Sequence, residues 1–64
     1  MNVSEAERIA QLFIDTYGDG ANSEAQRRVR VCMARGDENG VEDWRRVSRT
    51  ITSLKQNSSA EHPK

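Results

Sequence analysis

The chain has 64 residues, with ten Asp or Glu balancing ten Lys or Arg, and a single Cys. This length allows one domain, which buries only about 60% of the surface its unfolded form exposes. Zero net charge argues against a dedicated nucleic-acid binder, a lone Cys rules out an internal disulfide, and no apolar run is long enough to cross a bilayer.

Ile, Leu, Val and Phe make up 11 of the 64 residues, so a small, marginal core is expected, one that gains by pairing with another chain. No basic segment followed by an apolar run opens the sequence. No signal peptide is therefore expected, and the expected location is cytoplasmic.

Met1 and Asn2 read as a short lead. Ser4-Glu5-Ala6-Glu7 has the form of a capping box, which predicts Ser4 as N-cap with Glu7 reaching back. Ala6, Ile9, Ala10, Phe13, Ile14 and Tyr17 then recur on one face, predicting an amphipathic helix over 4–17. Gly18 is placed to end it in a left-handed conformation, and Gly20 to keep the following loop open.

Asn22 or Ser23 is expected to cap a second helix over 23–35, with Ala25, Val29 and Cys32 on its inner face and Gly36 closing it. The run Arg27-Arg28-Val29-Arg30-Val31 alternates like a strand, but sits inside a good helical frame. Asp37 is expected to cap a third helix over 38–56. Its stripe is Val41, Trp44, Val47, Ile51 and Leu54, and the absence of a side chain at Gly40 would let the second helix approach closely. Residues 57–64 are polar, contain the only Pro, and read as a loose tail.

Asp15 to Gln26 invites comparison with a calcium loop. Asp15, Asp19 and Gly20 match its first, fifth and sixth positions. Tyr17 at the third position and Gln26 at the twelfth replace oxygen ligands that calcium needs, so a corner between helices is the better reading. Arg35-Gly36-Asp37 spells an adhesion tripeptide, but also reads as a helix end, a stop and a cap. Cys32 falls on an inner face and His62 in the tail, which gives neither a zinc set nor a Cys–His nucleophile. Glu24–Arg28 and Glu42–Arg46 have the stabilising i, i+4 order.

Ala10, Tyr17-Gly18, Ala21, Ala25, Arg28, Gly36-Asp37, Gly40, Trp44, Ile51 and Leu54 form a spaced pattern. It resembles that of very small, all-helical proteobacterial proteins of unknown function, with a Tyr-Gly corner and a Gly-Asp-x-x-Gly-x-x-x-Trp segment. The resemblance covers roughly residues 6–54 and implies a bacterial cytoplasmic helical domain. It supplies no activity and no site residues.

Together these readings predict an all-α chain. Residues 3–56 would form a compact three-helix bundle, and 57–64 a flexible, disordered tail. The predicted seam is Ile9, Phe13, Tyr17, Val29, Cys32, Trp44, Val47, Ile51 and Leu54. The expected function is non-enzymatic: a small protein-interaction or adaptor module with no cofactor, metal or membrane role. Its candidate contact residues are Arg27 and Arg30 on the second helix and Arg45, Arg46 and Arg49 on the third. The expected partner is another protein, a second copy of the chain included. The alternative is a small DNA-associated regulator that presents one of these helices to phosphate.

Overall fold

The computed structural model describes the backbone of residues 1–61 and the side chains of residues 1–56. It is all-helical and compact: α1 (Val3–Tyr17), a 3-10 turn (Gly18–Gly20), α2 (Ala21–Arg35) and α3 (Glu38–Glu61), with no strand among the described residues.

Helical backbone is continuous from Val3 to Arg35, so α1 and α2 are the arms of one long bent run. Counted as continuous runs, there are two helices in place of the three separate ones predicted. The reason lies at the corner. Gly18 takes φ +58°, and its N–H donates to the Ile14 carbonyl, which ends α1. The Ala21 N–H then donates to the Gly18 carbonyl, and the 3-10 turn passes the chain straight into α2 without an open loop. Neither Asn22 nor Ser23 caps α2; both lie inside it, and Gly20 precedes it without a side-chain cap.

The start of α1 also differs from expectation. Asn2, not Ser4, is the N-cap: its Oδ1 accepts the Glu5 N–H at 2.8 Å, and Ser4 lies within the first turn. An Asn cap is as favourable as a Ser cap, and moving the cap from Ser4 to Asn2 lengthens the helix at its start.

The α2–α3 corner forms as predicted. Gly36 is left-handed at φ +74°, its N–H donates to the Met33 carbonyl, and the Asp37 N–H reaches back to Cys32 at 2.9 Å. The Asp37 Oδ1 then accepts the Gly40 N–H at 3.0 Å, which caps α3. That helix continues to Glu61, five residues past its predicted end, because no Gly or Pro interrupts 57–61. The remainder of the expected tail, 62–64, lies outside the described residues. At 24 residues, α3 spans about 36 Å of the 44 Å long axis.

The core is built largely of alanine. Ala6, Ala10, Ala21 and Ala25 are wholly inaccessible and cluster with Phe13, Val47 and Ile51. Small side chains let helices approach closely, but each buries little apolar area. Ile9, Ile14, Trp44 and Leu54 pack against this cluster while only partly buried. Tyr17, predicted within the seam, is 42% exposed. It closes the last turn of α1, where its ring meets Phe13 edge-on at 5.3 Å and leaves its other side to solvent.

Candidate interaction surface

The five arginines singled out by sequence fall on separate surfaces. Arg27 and Arg30, on the outer side of α2, line a shallow groove with Gly20, Ser23 and Glu24. Arg46 and Arg49 line another with Glu7, Thr50, Ser53 and Leu54, where α1 meets α3. Arg45 is exposed and lines neither. Arg45, Arg46 and Arg49 share the outer face of α3 with the exposed Glu38 and Glu42, so that face has mixed charge. Among the described residues, Arg27 alone of the five makes an ion pair, to Glu24 at 3.9 Å. The predicted Glu24–Arg28 pair forms at 3.5 Å; the Glu42–Arg46 pair does not.

Sequence reasoning overlooked the role of Arg28. Its guanidinium carbon lies 5.2 Å from the Phe13 ring centre and 5.1 Å from that of Trp44. The two rings stack at 5.7 Å with an interplanar angle of 28°. One residue from each helix thus meets at this point. Glu24 holds Arg28 from one side while the aromatic faces attract its charge from the other. The i, i+4 spacing from Glu24 was visible; the meeting with Phe13 and Trp44 is tertiary.

A second feature sequence reasoning missed joins α2 to α3. Ser48, only 6% exposed, donates through Oγ to Asn22 Oδ1 at 2.9 Å and accepts from Gln26 Nε2 at 3.1 Å. Asn22 Nδ2 also donates to Thr52 Oγ1 at 2.6 Å. No buried side-chain polar atom lacks a partner among the described residues. This ladder locks the register of the two helices. Its signal was a pair of i, i+4 polar couples, Asn22/Gln26 and Ser48/Thr52.

The would-be calcium segment is helical on both sides of its short turn. Its carboxylates have separate partners: Asp15 accepts from Gln11 Nε2 at 3.1 Å, and Asp19 pairs with Lys55 at 3.8 Å across to α3. No group of three or more His, Cys, Asp or Glu is placed to hold a metal among the described residues, and no described helix is long and apolar enough to cross a membrane. Arg35, Gly36 and Asp37 form the α2–α3 corner, and Cys32 is buried beside it.

No protein-family model matches the chain, nor does any curated protein or any solved structure.

Proposed function

We propose that this chain is a non-enzymatic interaction module of the bacterial cytoplasm that binds another protein through the outer faces of α2 and α3. Its scaffold, in this reading, is a three-helix bundle in which α1 and α2 are the arms of the bent run. A second copy of the chain is one candidate partner. The observation that carries this reading is how the side chains are divided. Four of the seven residues of the core cluster are alanine, while arginines, Val31, Met33 and part of the Trp44 indole remain at the surface. Arg and Trp are the residue types most enriched where partners bind. The kinship with small proteobacterial helical proteins belongs to the same proposal.

A tagged pull-down from bacterial cells, read by mass spectrometry, tests it. The expected result is a reproducible protein partner, lost when arginines of the contact face are exchanged for Glu. Absence of any partner, with light scattering showing a monomer at high concentration, would overturn it. The DNA reading draws on Arg45, Arg46 and Arg49 lying within about one turn of a long helix. A labelled duplex titrated across a salt series separates the two, because phosphate contacts give tight binding that falls steeply with salt. Glu38 and Glu42 on the same face oppose that outcome.

A further inference from the structure

Resting on the interaction reading, the contact can be narrowed to a place the sequence did not indicate. A groove beside α2 is lined by Glu24, Arg27, Arg28, Val31, Arg35 and Trp44, with Cys32 between them. Its walls combine apolar surface with charge. Val31 is 48% exposed although apolar, and Trp44 is partly open to solvent. Three guanidinium groups face one carboxylate, a local excess of two positive charges in a chain whose net charge is zero. Glu24 is already engaged by Arg27 and Arg28, and Arg28 is held over the two rings. Arg35 makes no ion pair among the described residues, and the Arg27 side chain is 75% exposed. Both remain able to meet an incoming anion.

We propose that this groove binds an acidic peptide segment of a partner protein that carries an apolar side chain. The apolar group seats on Val31 and Trp44, and flanking carboxylates meet Arg27 and Arg35. Bidentate geometry favours Arg over Lys for this role. Stacking already orders Arg28 and the indole, so part of the entropy cost of binding is met before the peptide arrives. A nucleic acid would meet the same guanidinium groups with its phosphates, so oligothymidine is the competing occupant in the test.

Trp44 is the only Trp, so its emission reports on the groove directly. The probes are short acetylated peptides with Glu or Asp around a central Leu, Met or Phe, their Lys-for-Glu counterparts, and oligothymidine. The acidic peptides are expected to change Trp44 emission saturably. The R27Q/R35Q double variant is expected to weaken this about tenfold, the sum of two exposed ion pairs. Val31→Asp abolishes it at unchanged helicity, and Arg8→Gln, at an exposed arginine of α1 outside the groove, leaves it unaltered. Four results would each overturn the proposal: no saturable response to any acidic peptide, an equal response to the Lys set, a tighter response to oligothymidine, or indifference to R27Q/R35Q. The broader reading fails separately. A cellular partner lost with R46Q/R49Q but kept with R27Q/R35Q retains the module and removes this groove; no partner at all removes the module.

Discussion

Replacing Gly40 with Ala tests the closest approach of α3 to α2. A Cβ at this position would lie 2.6 Å from Cys32 Sγ and 2.5 Å from Asp37 Oδ2. Both are about 1 Å or more inside the ~3.5–4.0 Å optimum for non-bonded carbon. Opposing effects decide the sign. Ala is favoured over Gly within a helix by about 0.8–1.0 kcal/mol. Against this, forcing a carbon into a packed contact costs about 1–3 kcal/mol. The exposed Asp37 carboxylate can swing aside, but its Oδ1 holds the Gly40 N–H, and losing that cap costs about 1 kcal/mol. Cys32 is 8% exposed on a helix that cannot shift without disturbing Ala25 and Val29. The net expectation is destabilisation by about 1–3 kcal/mol, with roughly 4–8 °C lost per kcal/mol in a domain of this size. Thermal unfolding followed by circular dichroism measures it. In a Cys32→Ala background the sulfur is gone, the cap and propensity terms nearly cancel, and Gly40→Ala becomes close to neutral. A rise in Tm in the native background, or an undiminished penalty in the Cys32→Ala background, would refute the packing argument.

Two further substitutions separate the observed structure from its sequence-based reading. Asn2→Ala removes the Oδ1 that accepts the Glu5 N–H and lowers stability by about 1 kcal/mol, whereas Ser4→Ala changes it by less than about 0.5 kcal/mol; urea unfolding of both variants would reinstate Ser4 as the cap if the order were reversed. Ser48→Ala strips Asn22 and Gln26 of their shared partner and costs about 1–2 kcal/mol, read as a lower urea midpoint at unchanged slope; no loss would mean that the polar ladder does not hold α2 to α3.

Much of the fold was legible because helical periodicity and corner chemistry are local. Ala6, Ala10 and Phe13 in α1, and Val47 and Ile51 in α3, stand at the spacings that put them inside. Gly18, Gly36 and Asp37 act where their residue types allow. The misses each turned on something beyond one helix. Asn2 and Ser4 both precede a Glu by three residues, so pattern alone gives two equivalent caps. Hydropathy cannot distinguish a polar residue facing water from one facing another polar residue, so Asn22 read as a helix cap and Ser48 and Thr52 drew no reading at all. The arginines were legible as exposed, but that Arg46 and Arg49 share a groove with Glu7 depends on where α1 lies, which no spacing encodes.

The Gly-Asp-x-x-Gly-x-x-x-Trp segment links the corner to the groove. Gly36 turns the chain in the left-handed region, Asp37 caps α3, Gly40 makes room for Cys32, and Trp44 stacks on Phe13 beneath Arg28. Each step fixes the position of the next, so the geometry of the corner sets where the indole lies in the groove that it lines with Val31 and Arg35. With alanine at four of the seven positions of the core cluster, Phe13 is the one other ring that holds Trp44 if the corner shifts. Gly40→Ala therefore has a second consequence besides a lower Tm. Pushing α3 away from Cys32 opens the site around Trp44, and the indole emission of the folded protein moves toward that of a solvated ring. Ser48→Ala weakens the same pair of helices on the side that faces Asn22 and Gln26, where no aromatic ring takes part. It lowers stability and leaves the native emission in place. Equal emission changes in the two variants would show that the corner does not position the indole.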